Sequence, residues 1–139
     1  MDKEVTVAFG YCEAVKEFTG TIMESKGEEV LNAPRFFDPK FITQMIQDEL
    51  EELAEAKTVA EQADALVDLM YYACDTAVRN GINLDSVFMA VHAANMEKFV
   101  DGKPILREDG KVLKPEGWVE PNIERIMDAQ IKLGSWGNE

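Results

Sequence analysis

The sequence predicts an all-α protein, a helical bundle of four to five helices with a small hairpin or loop near residues 103–118. Apolar residues recur at three- and four-residue steps through most of the chain, and helix start and stop signals separate these stretches by short links. Amphipathic helices with short links bury their apolar faces against one another. The 139 residues suffice for one domain, so we expect residues 1–139 to form a single unit.

The first helix is predicted over residues 4–19, with Gly20 as its end. Its apolar positions follow a helical period at Ala8, Cys12, Val15 and Phe18. Residues 21–37 carry mixed signals and predict a short helix or an irregular connection.

Asp38 followed by Pro39 is a start signal, because Asp accepts free N–H groups of a first turn while Pro has none to satisfy. We expect the second helix over about residues 39–57. The third helix is predicted over residues 59–80, before Gly81. It is apolar on nearly every side, which predicts a central, buried helix.

A fourth helix is predicted from Leu84 or Asp85 to about Gly102. One of its faces carries Leu84, Phe88, Val91, Asn95 and Lys98. The following Asp109-Gly110 pair is typical of a hairpin turn. Pro121 then opens a last helix that ends near Gly134.

The composition excludes several functions. A formal net charge of −13 repels nucleic acid and anionic lipid, so neither is an expected partner. The two cysteines, Cys12 and Cys74, are too few for a disulfide framework and predict buried thiols in a reducing compartment. The chain shows no signal-peptide pattern and no apolar run of about 20 residues, so we expect a cytoplasmic protein and no membrane partner.

Acidic residues interrupt the apolar face of the second helix. At about 100° per residue, Glu49 falls near the middle of that face and Glu52 lies one turn further along its edge. Glu51 and Glu55 are predicted on the solvent side. A charge run is usually a solvated helix face, but a buried carboxylate such as Glu49 needs a cation or hydrogen-bond donors.

The third helix repeats this anomaly with Asp64, Asp68 and Asp75. Asp64 and Asp68 lie one turn apart, so the two helices each present a pair of carboxylates. Facing pairs would form an oxygen cage for Mg²⁺, with Mn²⁺ as an alternative. Residues 41–75 hold one base, Lys57, against nine acids: Asp48, Glu49, Glu51, Glu52, Glu55, Glu61, Asp64, Asp68 and Asp75.

A basic region follows the acidic one. Residues 98–114 hold five of the 14 Lys and Arg residues, namely Lys98, Lys103, Arg107, Lys111 and Lys114. Asn95 and Lys98 share the apolar side of their helix, and Lys98 is the strongest candidate for binding phosphate. The alternative is a solvated hairpin. Trp118 either stacks on a base or packs, and the single His92 is interpreted as structural or surface.

These residues resemble the all-α NTP pyrophosphatase superfamily, the MazG-like proteins that include phosphoribosyl-ATP pyrophosphohydrolase and the dimeric dUTPases. The resemblance covers about residues 39–120, and its first motif, Glu-Glu-x-x-Glu, places Glu49 and Glu52 on metal-binding positions. In the second motif, Glu-x-x-Asp, Asp68 takes the aspartate position. Ala65 occupies the glutamate position, for which Asp64 is the expected substitute. The string from Glu61 to Asp64 also spells that motif, but it follows the first motif too closely for the helices to pair in register.

The resemblance implies Mg²⁺-dependent hydrolysis of a nucleoside triphosphate between its α- and β-phosphates, releasing pyrophosphate. It implies metal binding by Glu49, Glu52, Asp64 and Asp68. Together with the basic region, we expect catalysis by Glu49, Glu52 and Lys98, and substrate binding by Asn95, Lys98, Lys114 and Trp118. A homodimer or a dimer of dimers is also implied. The departure at Ala65 leaves an alternative open, an inactive bundle that binds metal or nucleotide in a regulatory role. A di-iron bundle would need more than one histidine.

Overall fold

A computed structural model describes residues 10–137 and contains five helices. They are α1 (Tyr11–Ser25), α2 (Lys40–Glu55), α3 (Val59–Arg79), α4 (Leu84–Met96) and α5 (Ile123–Leu133). Within residues 10–137 there is no strand, only two isolated β-bridges. The all-α prediction is therefore confirmed. The predicted helical residues 4–9 lie outside the described part. No helix of residues 10–137 has both the length and the apolar composition to cross a membrane.

Helix α3 is the centre of the fold because it packs against both α1 and α2. Its second half forms the core with α1, through Cys12, Val15, Cys74, Ala77 and Val78. Both cysteines are buried and free, as predicted. The first half of α3 packs against α2 instead, so the two helices that carry the acidic residues lie side by side. Helix α4 packs chiefly against α1 and α5.

Helix α1 was predicted to end at Gly20, but it continues to Ser25. Gly20 is buried, and a Cβ there would lie 3.2 Å from a methyl group of Val30, so its small size allows the following segment to pack closely. The chain turns away from the helix axis at Gly27, whose φ is +77°. The N–H of Gly27 donates to the carbonyl of Glu24, and the next N–H donates to that of Met23, the bonds of a Schellman motif.

Local hydrogen bonds set the starts of α2 and α3. The Asp38 carboxylate accepts the N–H of Lys40 at 3.0 Å, which places the start of α2 one residue after the predicted Pro39. The Thr58 hydroxyl accepts the N–H of Glu61 at 3.1 Å, and the Glu61 carboxylate accepts the N–H of Lys57 at 2.7 Å. This reciprocal capping begins α3 soon after α2 ends.

The prediction that α3 is buried on nearly every side is wrong for its first half in a single chain. Leu66, Val67 and Met70 are about half exposed. Phe88 on α4 is 68% exposed, and Asn95 on the same helix is exposed too. The predicted burial of the face that carries Asn95 is therefore also wrong. Helical periodicity identifies an apolar face, but it does not tell whether the same chain covers it.

Residues 97–122 form the connection between α4 and α5, and they contain the predicted hairpin turn. Leu106 and Val112 form an isolated bridge, and Gly110 has a φ of +89°. The N–H of Arg107 donates to the carbonyl of Lys111 at 2.8 Å across the turn. The turn is real, but it does not extend into strands.

Asp85 caps α1 from a distant part of the chain, and its removal should destabilise the fold. Its carboxylate accepts the N–H groups of Cys12 at 3.0 Å and Glu13 at 3.1 Å. We expect Asp85→Ala to lower the free energy of unfolding by about 1–2 kcal/mol, the usual cost of a lost helix cap. Urea unfolding measures this. Asp128→Ala, an exposed position on α5, is the control, and an equal loss in both variants would contradict the capping role.

Candidate metal centre

The second half of α2 and the first half of α3 line an open cavity of about 220 Å³ that we call the acidic pocket. Its lining residues are Glu49, Glu52, Glu55, Ala56, Glu61, Asp64, Ala65 and Asp68. The fold therefore brings the four predicted metal ligands, two from each helix, to one cavity. The lining contains no lysine or arginine.

Glu49 is the most constrained carboxylate of the acidic pocket. Its side chain is 7% exposed, and its Oε2 atom is buried without a hydrogen-bond partner among the described residues. Burial, hydrogen bonding with Glu52 and the charges of Glu52, Asp68 and Asp64 together raise the pKa of Glu49 to about 7. All of these neighbours are acidic. The pocket thus holds a carboxylate that lacks the compensation a buried charge requires.

Asp68 lies opposite Glu49 and is perturbed in the same direction. Burial raises the pKa of Asp68, and the charges of Asp64 and Glu52 add to the shift. The pKa of Glu49 and that of Asp68 are thus both raised by neighbouring carboxylates, which means that these acids lie close together.

Two further acids line the acidic pocket. Glu55 is exposed, as predicted, and it also lines the pocket because it is the last residue of α2, where the chain turns back to α3. Glu61 lines the pocket too, and the prediction that the string from Glu61 to Asp64 is not the second motif stays a prediction. Both lie where the two helices are joined, so side chains from more than one face reach the cavity. The Glu61 carboxylate is partly occupied, because it accepts the Lys57 N–H.

The third helix shows which acids belong to the site. Asp64 and Ala65 both line the pocket. That Asp64 takes the place of the absent glutamate stays a prediction. Asp75 was counted with the acids that call for a cation, but it has protein partners instead. It accepts a hydrogen bond from the Thr19 hydroxyl at 2.6 Å and one from Arg79 Nε at 3.0 Å. Asp75 is therefore a structural residue between α1 and α3.

The chemistry of the acidic pocket fits a hard divalent cation. Its charged ligand atoms are all carboxylate oxygens, which prefer Mg²⁺ or Mn²⁺ over zinc, and within residues 10–137 the buried Oε2 of Glu49 has no hydrogen-bond partner. No three of the Asp, Glu, His or Cys residues in 10–137 already converge on a single point at metal-binding distance. A cation would therefore have to draw the carboxylates together.

A second group of residues surrounds Trp118, and we call it the lysine–tryptophan cluster: Lys98, Lys114 and Trp118. The Nζ atoms of both lysines lie 5.1 Å from the indole ring centroid. The Trp118 Nε1–H donates to the carbonyl of Ala94 at 2.6 Å, which holds the cluster against the end of α4. Trp118 thus packs against the end of α4, and the ammonium groups of the two lysines lie beside its ring.

The other basic candidates contribute less to such a cluster. Arg107 donates to Asp109 within the hairpin turn, which raises the pKa of Arg107 and lowers that of Asp109. Lys103 and Lys111 are exposed. His92 is exposed as well, as predicted for a surface residue.

One chain does not bring the lysine–tryptophan cluster to the wall of the acidic pocket. The cluster sits at the end of α4, which packs on α1 and α5, whereas α2 and α3 form the pocket. Among the described residues, the charges that raise the pKa of Glu49 are those of other carboxylates. Within residues 10–137 the acidic pocket is therefore lined without basic donors, and the predicted arrangement of the cage beside such donors stays a prediction.

The raised pKa of Glu49 predicts a pH-dependent metal affinity. Below pH of about 7 the Glu49 carboxyl carries a proton that a cation must displace, and above it the carboxylate is free to bind. We expect the Mn²⁺ affinity to rise between pH 5.5 and about 7.5 and then to level off. Isothermal titration calorimetry at a series of pH values measures this. A constant affinity, or one that falls as the pH rises, would contradict the assignment.

Tyr72 lies beside the acidic pocket and was not predicted to belong to it. Burial raises the pKa of its hydroxyl, and four carboxylates add to the shift, those of Glu49, Asp68, Glu52 and Asp48. The available signal was its spacing, four residues after Asp68 on the same face of α3.

Comparison with known proteins gives the family. A family model described as phosphoribosyl-ATP pyrophosphohydrolase matches residues 15–95, more than half of the chain. The chain is 30% identical over 105 residues to the histidine biosynthesis trifunctional protein of Kluyveromyces lactis, covering 62% of this chain and 13% of that protein. It is 30% identical over 82 residues to the histidine biosynthesis bifunctional protein his7 of Schizosaccharomyces pombe, covering 57% of this chain and 20% of that protein.

The matched region contains the acidic pocket and the whole of α2, α3 and most of α4. The chain spans only 13% and 20% of the length of these two relatives, so the match concerns one part of each. The chain belongs to the phosphoribosyl-ATP pyrophosphohydrolase family, within the all-α NTP pyrophosphatase superfamily that its acidic motifs resemble.

Proposed function

We propose that this protein is a Mg²⁺-dependent nucleoside triphosphate pyrophosphohydrolase that cleaves between the α- and β-phosphates to give a nucleoside monophosphate and pyrophosphate. The observation that carries the proposal is the buried Glu49 oxygen, which has no partner within residues 10–137 and lies in a cavity lined by carboxylates. Membership of a pyrophosphohydrolase family supports the same reaction.

Glu49, Glu52, Asp64 and Asp68 would hold the cation. When bound there, Mg²⁺, or Mn²⁺ in its place, would neutralise phosphate charge and promote attack by water. Glu52 is exposed at the pocket, where its carboxylate can accept the proton that the attacking water loses. Glu49 stays buried and contributes its negative charge to the metal site. The reaction needs no covalent intermediate with the protein.

The leaving pyrophosphate needs positive charge, which the acidic pocket of one chain does not provide. We propose that a second copy of the chain supplies it, with Lys98 and Lys114 of the partner subunit facing the pocket and Asn95 and Trp118 completing the substrate contacts. A homodimer or a dimer of dimers would also cover the exposed apolar side chains of α3 and α4, among them Leu66, Val67, Met70 and Phe88.

For the substrate we propose a nucleotide of the dUTP or dCTP type or an aberrant nucleotide removed from the pool. The family description and the histidine biosynthesis relatives add phosphoribosyl-ATP to the candidates. All of them present the same triphosphate to the same acidic pocket. The two free buried thiols support a reducing, cytoplasmic location, and nucleic acid and membranes are not proposed as partners.

The test is a pyrophosphate-release assay over canonical and modified nucleoside triphosphates and phosphoribosyl-ATP, with Mg²⁺ and with a chelator. We expect release of pyrophosphate, not phosphate, from at least one substrate, and its loss on chelation. Nucleotide or metal binding without any release would support the alternative, an inactive bundle with a regulatory role. It would refute the proposed hydrolysis.

A further inference from the structure

Two lysines share one aromatic ring in the lysine–tryptophan cluster. The Nζ atoms of Lys98 and Lys114 each lie 5.1 Å from the centroid of the Trp118 indole ring, so the two ammonium groups are separated by at most twice that distance. Like charges repel one another at this range, and the attraction of each ammonium group to the ring offsets part of the repulsion. The ring therefore gathers positive charge that two free surface lysines would keep apart.

The Trp118 ring has a fixed position against α4. Its Nε1–H donates to the carbonyl of Ala94 at 2.6 Å, and the backbone N–H of Trp118 donates to the carbonyl of Pro115 at 3.0 Å. Ala94 is a buried residue of α4. Lys98 follows Ala94 by four residues, whereas Lys114 directly precedes the turn that carries Trp118. The anchored ring thus brings together charges from two separate parts of the sequence.

These lysines are only partly neutralised by acids. The Nζ atom of Lys114 lies 3.4 Å from a carboxylate oxygen of Glu120, and both side chains are more than half exposed. Lys98 is half-buried and makes no ion pair with an acid within residues 10–137. The chain has 27 acidic residues against 14 Lys and Arg, so a shortage of acids does not explain this. The cluster therefore has positive charge available for an anion.

We infer that the lysine–tryptophan cluster is a binding site for a diphosphate group, in which Trp118 is a positioning residue that holds the ammonium groups of Lys98 and Lys114 for the anion. A diphosphate carries negative charge at both ends and can accept hydrogen bonds from two ammonium groups at once, whereas a single phosphate is shorter. The inference rests on the proposed pyrophosphohydrolase function for its choice of ligand. It assigns Trp118 to the diphosphate end of the substrate rather than to its base.

The second tryptophan of the chain provides a matched comparison. The Nζ atom of Lys16 lies 5.1 Å from the ring centroid of Trp136, the same distance as in the cluster. Lys16 also lies 3.9 Å from a carboxylate oxygen of Glu13. No second lysine or arginine among the described residues lies over the Trp136 ring. Trp136 thus has a similar contact with a single cation, and we expect no diphosphate site there.

The experiment titrates inorganic pyrophosphate and inorganic phosphate into the full chain by isothermal titration calorimetry. A chelator is present, so that no metal can bridge the anion to the acidic pocket. We expect the wild-type protein to prefer pyrophosphate to phosphate by about 10-fold, because only the longer anion reaches both ammonium groups. Trp118→Leu should weaken pyrophosphate binding about 5- to 10-fold and change phosphate binding little, since both lysines remain but are no longer held together.

Two further variants separate positioning from general damage to the fold, and all variants are first checked by circular dichroism. Trp118→Phe keeps a ring beside the lysines and should lose less pyrophosphate affinity than Trp118→Leu. Trp136→Leu is the matched control and should stay within about 2-fold of the wild-type affinity. Equal pyrophosphate affinities of Trp118→Leu and Trp136→Leu would overturn the inference.

Glu120→Gln tests the same site in the opposite direction. Glu120 competes with an anion for Lys114, so the loss of its charge should tighten pyrophosphate binding about 2- to 3-fold at low ionic strength. Glu51→Gln removes the same charge from α2 and should not. This variant pair decides the question even if Trp118→Leu does not fold, because no tightening in Glu120→Gln would overturn the inference. An absence of pyrophosphate binding by the wild-type protein would also overturn it, while the release assay tests the proposed hydrolysis separately.

Discussion

Glu49→Gln should lower the rate of pyrophosphate release by at least about 100-fold, since replacing a metal ligand should cost no less than replacing the partner of one. Glutamine keeps the size of the side chain and removes its charge, so the loss would report on cation binding rather than on packing. Steady-state kinetics with saturating Mg²⁺ measures the effect. Glu51→Gln, on the exposed side of the same helix and outside the pocket lining, is the matched control and should keep the wild-type rate.

The same substitution should not destabilise the protein without metal. The buried Oε2 of Glu49 has no hydrogen-bond donor among the described residues, and the raised pKa of Glu49 means that its ionisation is unfavourable in the fold. Stability from such a group is greatest when the carboxyl is protonated and is lost as the pH rises towards about 7. At pH 8 the metal-free Glu49→Gln variant should therefore unfold at the same temperature as wild type or above it. Full turnover by this variant would remove Glu49 from the site.

Mixing two inactive variants should restore activity if the site is shared between subunits. Glu49→Gln removes a residue of the acidic pocket, and Lys98→Ala removes one from the lysine–tryptophan cluster. In a heterodimer of the two, one site carries both defects and the other carries neither. Random assembly after joint refolding should therefore return about a quarter of the wild-type activity in a dimer.

The control for this experiment pairs two variants of the same pocket. Glu49→Gln mixed with Asp68→Ala should stay inactive, because every pocket in such a heterodimer has lost one ligand. Recovery in the first mixture and none in the second would show that Lys98 acts across the interface. No recovery in either, with each parent inactive, would mean that Lys98 serves the pocket of its own chain.

The helices were largely predictable because their signals are local. The start at Asp38, the stop at Gly81 and the turn at Asp109-Gly110 depend on backbone requirements of a few neighbouring residues. Gly20 shows the limit of such signals. The free-energy cost of a glycine in a helix is small, and close packing against Val30 outweighs it. Val30 belongs to an irregular segment, whose position helical periodicity does not predict.

The acidic pocket was predictable for a different reason. Spacings of three and four residues put Glu49 with Glu52 and Asp64 with Asp68, and these relations hold for any helix. The packing of α2 on α3 follows from the short turn between them. The contribution of Glu55 and Glu61 to the lining was not predicted, because the geometry of that turn, including the Thr58 cap, is not a periodic property.

The position of Lys98 relative to the acids could not be predicted from the sequence. A face that carries Phe88, Asn95 and Lys98 has an apolar pattern whether its partner is another helix of the same chain or a second copy. In the single chain this face stays exposed at Phe88 and Asn95.

The most direct test of the acidic pocket as a metal centre is a crystal structure with Mn²⁺ and a non-hydrolysable triphosphate analogue, read from the anomalous scattering of the ion. We predict a Mn²⁺ peak between α2 and α3, bound by carboxylate oxygens of Glu49, Glu52 and Asp68 at about 2.0–2.2 Å, as expected for a small hard cation. A peak bound elsewhere, or an empty pocket at saturating Mn²⁺ with the analogue present, would contradict the account.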